Sequence, residues 1–167
     1  MPMRWSYGMT LPVAFAALAC SAACSSQTAA PAPTAAATPA RHPISGLEVI
    51  PLSIGQNGKT HAFRVEVAAT MEQQQKGLMF RTAMGPDEGM LFPYDQPHVL
   101  SFWMRNTVLS LDLVFIDEQR RIINIAENAV PYSEESILSD APAVAVLELN
   151  GGRARELGIV AGNKVDW

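Results

Sequence analysis

Cysteine is almost missing from this chain. Two occur in 167 residues, Cys20 and Cys24, and none follows. Everything after Cys24 is therefore without a disulfide, a thiol nucleophile or a cysteine-based metal site. Acidic residues are missing from the first 47 positions, since all 16 lie at Glu48 or beyond. Basic residues do not make up an excess: 12 Lys and Arg leave a net charge of −4, which excludes a nucleic-acid binder that works through a basic surface. Charged residues are only 17% and apolar ones 49%, so the bulk of the chain is not a disordered polyelectrolyte. Gly-rich phosphate loops, a His-Glu-x-x-His helix and a Gly-x-Ser-x-Gly elbow are absent as well.

What is present divides into three parts. Residues 1–23 read as an export signal, with Arg4 as the positive region and Leu11 to Ala19 as a short apolar core. That run falls short of the roughly 20 residues a permanent membrane helix needs. Ala17-Leu18-Ala19-Cys20 and Ser21-Ala22-Ala23-Cys24 both resemble the lipidation site of a bacterial lipoprotein, and a plain secretory cut near Ala23 is the alternative. Residues 24–43 are a linker: Ser25 to Pro43 holds seven alanines, four prolines, three threonines and two serines. Such a stretch has no periodic apolar face and its prolines forbid a long helix. Residues 44–167 hold 10 basic and 16 acidic residues, net −6, and are long enough for one small domain.

The domain reads as α+β and predominantly β. Leu47 to Ile54 and His61 to Val67 flank Asn57-Gly58 and predict a hairpin, with Phe63, Val65 and Val67 on one face. Thr70 and Gln73 have capping-box spacing before a short helix that Gly77 interrupts. Met84 to Pro97, with Gly85, Pro86, Gly89, Pro93 and Pro97, reads as loop. Strands are expected over 99–104, 109–116, 121–126 and 143–149, then a short helix over 151–157 and a last strand near Lys164. Hairpin spacing predicts an antiparallel or mixed sheet closing into a barrel-like core with two short helices.

The densest unusual stretch is Phe102-Trp103-Met104-Arg105-Asn106-Thr107, followed by Leu111-Asp112. Upstream stand Gly77-Leu78-Met79-Phe80-Arg81 and Gly89-Met90-Leu91-Phe92; downstream stand Leu147-Glu148-Leu149-Asn150-Gly151-Gly152 and Gly162-Asn163-Lys164-Val165. This series closely resembles the bacterial and archaeal domain-of-unknown-function family 192, over residues 47–167. The resemblance implies a single small β-rich domain, often exported, and brings no activity with it. Two departures fall in turns: Asn163 replaces a usual Asp, and a usual glycine near Arg120 is absent.

The residues themselves suggest a ligand site made of Arg81, Trp103, Arg105, Asn106, Thr107, Asp112 and Glu148. Trp103 and Arg105 are two apart and share a face if the strand continues that far. An indole offers a stacking surface, and a guanidinium, an amide and a hydroxyl offer hydrogen bonds. The competing structural reading makes Trp103 a core plug and pairs Arg105 with Asp112 or Glu148. Asp112 and Glu148 sit inside apolar strands, where burial demands a partner. As a pair they could also be the acid and base of a glycosidase. Met71, Met79, Met84, Met90 and Met104 with His98 have a composition that suits Cu(I), but their irregular spacing among large apolar residues reads as core packing. No cofactor, metal or nucleic acid is expected. The expected function is an exported, lipid-anchored module that binds a small ligand or an envelope protein. The alternatives are a carboxylate-dependent hydrolase of envelope carbohydrate and an envelope assembly factor.

Overall fold

The computed structural model describes residues 40–167. The signal, both cysteines and the linker before Ala40 lie outside the described residues. Nine strands and two short helices follow in the order β1 (Val49–Gln56), β2 (Lys59–Val67), α1 (Met71–Lys76), β3 (Glu88–His98), β4 (Ser101–Phe102), β5 (Leu111–Ile116), β6 (Ile122–Ala129), β7 (Ile137–Leu138), β8 (Ala143–Asn150), α2 (Arg153–Leu157) and β9 (Lys164–Asp166).

Seven strands form one mixed sheet in the order β6-β5-β8-β3-β2-β1-β9, and β4 pairs with β7 apart from it. The first hairpin forms as expected, with Asn57 and Gly58 both at positive φ. Two positive φ values in succession are what a tight two-residue turn between twisted strands demands. β2 and β3 run parallel, so α1 serves as their crossover. Its capping box is complete: the Gln73 N–H donates to Thr70 Oγ1, and Gln73 Oε1 accepts from the Thr70 N–H.

Of the expected loop over 84–97, residues 84–87 are loop, and from Glu88 onward it is instead the long strand β3, set in the middle of the sheet. Gly89 and Pro93 conceal it in the sequence, yet each has a reason to be there. A Cβ on Gly89 would lie 2.6 Å from the Glu148 carbonyl oxygen, so only glycine lets β3 approach β8. Between Pro93 and His98 the pairing with β8 shifts register, which is where a strand tolerates proline. Gly89→Ala is therefore expected to destabilise the domain by about 1–3 kcal/mol, the range for overpacking. A urea midpoint unchanged from the parent's would refute that packing.

Side chains alternate between two apolar clusters. Leu91, Val114, Ile116, Leu147 and Leu149 face one side, which α2 covers through Ala154. Met90, Phe92, Leu113, Phe115 and Val146 face the other, where Leu78, Leu100 and Met104 from the connecting segments cover them. Both faces are thus buried, which explains why β5 is buried at every position. The barrel-like closure is not made by a continuous ladder. The edge strands β6 and β9 meet at one end only, through the Arg121–Lys164 bridge and the bond from the Val165 N–H to the Arg120 carbonyl. With three residues, β9 is too short to extend the contact.

Both departures from the family's turn residues are accommodated. Arg120 stands at φ 62° in the turn where the family's glycine is missing, and its guanidinium lies 3.3 Å from the centre of the Trp167 ring. Asn163 keeps the acceptor an Asp would supply: its Oδ1 accepts from the Val160 N–H at 3.0 Å.

Candidate functional site

One groove, of about 690 Å³, collects four of the seven residues singled out: Trp103, Arg105, Thr107 and Glu148. Four structural units build most of it. β8 supplies Glu148 from the sheet, β3 supplies Phe92 and Tyr94, β4 and the turn after it supply Phe102, Trp103, Arg105 and Thr107, and α1 with the segment after it forms one wall. Gln74 at that wall donates to the Pro93 carbonyl at 2.8 Å, which holds α1 against β3. Gly77 is required at the end of α1. Its φ of 46° with ψ of −135° is a glycine conformation, and a Cβ there would lie 3.3 Å from the Phe92 ring.

Glu148 is the chemical centre of the groove. It is opposite Met90 on β3 and Leu113 on β5, and only 5% of its surface is exposed. Its Oε2 is fully buried and has no hydrogen-bond partner among the described residues. Burial without a compensating charge favours the neutral acid and pushes its pKa up to about 8. The Tyr94 phenol is also raised, first by its own burial and then by the charge on Glu148. Below this carboxyl Phe92 and Phe102 meet edge to face at 5.2 Å.

Trp103 is not a core plug, since half of it (51%) is exposed. The strand β4 ends at Phe102, so the alternation expected to align Trp103 with Arg105 stops before them. They share the groove nonetheless because Met104 between them is fully buried and its N–H donates to the Ser133 carbonyl. Anchoring the middle residue inward turns both neighbours outward. The Arg105 guanidinium stands 5.8 Å from the Trp103 ring centre and 3.8 Å from exposed Glu134. It pairs with neither Asp112 nor Glu148.

The other three expected site residues lie elsewhere. Asp112 is wholly buried on the face opposite Glu148. Its Oδ1 accepts from the backbone N–H groups of Asn128 and Gly152, and its Oδ2 accepts from that of Ala154, all at 2.8 Å. The amino end of α2 has no side-chain cap of its own. Asp112 thus fixes α2 to the sheet, as a capping carboxylate does from within a helix. Two carboxyl groups on opposite faces of one sheet cannot flank a glycosidic bond, so the acid–base pair is excluded. Arg81 is buried against Glu66, with one guanidinium nitrogen 2.9 and 3.0 Å from the two carboxylate oxygens. Ser45 donates to the same carboxylate and His42 stands 3.6 Å from it. Asn106 turns the chain at φ 56°, its carbonyl accepts from the Phe80 N–H at 2.9 Å, and its side-chain amide donates to the Met79 sulfur at 3.9 Å.

Tyr94 and Phe92 belong to β3, which Gly89 and Pro93 conceal in the sequence. The alternation Met90, Phe92, Tyr94 was the signal for them. Among the described residues no group of His, Cys, Asp or Glu is placed to hold a metal ion, and no helix is long and apolar enough to cross a membrane.

The model of the family described as "Uncharacterized ACR", domain-of-unknown-function family 192, matches residues 52–167. The chain belongs to DUF192. No curated protein matches it. A protein of unknown function from Novosphingobium aromaticivorans has a similar crystal structure: 51% identity, TM-score 0.76, covering 79% of this chain and 94% of that one. A Sinorhizobium meliloti protein described as a transcription-regulator candidate is 40% identical, with a TM-score of 0.70, covering 72% of this chain and 94% of that one. These likenesses give this DUF192 domain its fold and family, and leave its activity to its own residues.

Proposed function

We propose that this DUF192 protein is an exported, lipid-anchored binding module, and that its groove above Glu148 seats a small, uncharged, hydroxyl-bearing ligand. The leader features of residues 1–23, with Cys20 or Cys24 as the lipidated residue, support the anchoring. One observation carries the binding: a buried carboxyl whose Oε2 has no protein partner, at the floor of an open groove. Native proteins pair nearly all buried polar atoms, and an unpaired one marks a place for a missing partner. The raised pKa keeps this carboxyl neutral at pH 7, so it both donates to and accepts from a hydroxyl. The half-exposed Trp103 adds an apolar face for the ring of such a ligand. Lys76 and Arg105 at the same groove oppose an organic cation. A net charge of −6 over residues 44–167 opposes nucleic acid.

The test is a titration of the full chain with glucose and N-acetylglucosamine, followed by backbone amide NMR. Shifts are expected at Tyr94, Trp103 and Thr107. Trp103→Ala should weaken binding about tenfold or more, while Trp103→Phe, which keeps an aromatic face, should restore most of it. Equal binding by a folded Trp103→Ala variant, or shifts confined to other surfaces, would overturn the proposal.

A further inference from the structure

We infer that the ligand is a chain of sugar-like rings and not a single ring, running from the Glu148 groove across Lys76–Met79 into a second groove beside Phe80. This rests on the binding role just proposed for Trp103. The second groove is also about 690 Å³, and the two share Lys76, Gly77 and Met79 as lining residues. Each alone has the volume of an ordinary small-ligand pocket, so the pair is larger than one ring requires.

Phe80 is the aromatic surface of this second groove. It is 69% exposed, and it is held at φ 63°. Positive φ is a strained conformation for a bulky residue, and such strain collects at ligand-contacting positions. The Phe80 N–H donates to the Asn106 carbonyl. Asn106 belongs to the turn that contains Arg105 and follows Trp103 directly after Met104. The two exposed aromatic residues are therefore held by one hydrogen-bonded loop pair, one on each side of the shared segment.

The second groove is also electrically balanced. Arg81 is spent on Glu66, and Glu72 and Lys76 oppose each other in sign. The remaining polar lining is Ser45, which is bonded to Glu66, and Thr70, Gln73 and Thr82, which are neutral donors and acceptors. Exposed aromatic faces with uncharged hydrogen-bonding side chains match a neutral polyhydroxylated chain. A polyanion would meet the carboxylate of Glu72 in the same lining as Lys76, and an apolar peptide needs drier walls.

The experiment is calorimetry on the full chain with N-acetylglucosamine oligomers of one to six units. Affinity is expected to rise about tenfold or more between the shortest oligomer that binds and the longest. Phe80→Gly, which relieves the positive φ, should keep or raise the melting midpoint while abolishing the rise with length and leaving the shortest binder unaffected. An affinity independent of length, or a Phe80→Gly variant that retains the dependence, overturns the extended ligand and leaves the single-ring reading standing. Failure of every oligomer to bind, with Trp103→Ala no different from the parent, overturns both.

Discussion

Asp112→Asn is expected to cost about 3–5 kcal/mol of folding stability. Three backbone N–H groups converge on the Asp112 carboxylate at 2.8 Å in a fully buried site. An amide presents one acceptor oxygen where the carboxylate presents two, and its NH₂ must face at least one of the donors. Each buried donor left without a partner costs about 1–3 kcal/mol, and bonds to a charged acceptor are at the strong end of the scale. The loss falls on one connected structure, because the donors come from β6 and from the entry to α2. For a domain whose total stability is of the order of 5–15 kcal/mol, the variant should be largely unfolded in mild denaturant. Urea unfolding measures it directly, and a loss below about 1 kcal/mol would show that the carboxylate does not hold α2 in place.

The second large effect depends on pH. Glu148 has a folded-state pKa of about 8 against an ordinary value of 4.5. Below pH 4.5 the group is protonated in both folded and unfolded chains and imposes no penalty. Between pH 4.5 and 8 the unfolded chain has released the proton and the folded domain retains it, so stability falls as pH rises. Over three and a half pH units at 1.4 kcal/mol each, the loss approaches about 5 kcal/mol before levelling above pH 8. Glu148→Gln carries no such proton. The parent and the variant should be similarly stable near pH 4, and the variant more stable by several kcal/mol at pH 9. Taking the difference between the two proteins removes the other carboxylates from the comparison. Parallel stability curves from pH 4 to 9 would mean that Glu148 titrates as a solvated acid. A ligand that hydrogen-bonds to the neutral acid should also bind less well above pH 8, which ties the stability measurement to the binding role.

The opposite fates of Asp112 and Glu148 show where sequence reading reached its limit. Each lies between leucines in a strongly apolar strand, and nothing local distinguishes them. In the sheet Leu113, the neighbour of Asp112, is the residue opposite Glu148. A single step along a strand reverses the face of a side chain, so the register decided that the carboxylates point apart. One meets the backbone donors of α2, and the other meets none. The Trp103–Arg105 pair shows a different limit. Alternation along a strand was the wrong reason for their shared side, because the strand ends at Phe102. A buried Met104 in an irregular loop produced the same result.

Local chemistry was enough for the elements whose causes are local. The Asn57-Gly58 hairpin, the Thr70–Gln73 capping box and the apolar runs that become β5 and β8 are all set by residues within a few positions of one another. The family likeness was likewise written in short contiguous motifs. Tertiary structure alone decided what depends on distant partners. Gly89 and Pro93 look like loop residues until the β8 backbone is placed 2.6 Å from where a Gly89 Cβ would stand. Arg81 looks like a free cation until Glu66 is found against it. Glu148 looks like one more carboxylate until the sheet removes its water and supplies no donor in return. Burial and pairing are properties of the whole fold, which is why the groove could be suspected from the sequence but its centre could not be chosen there.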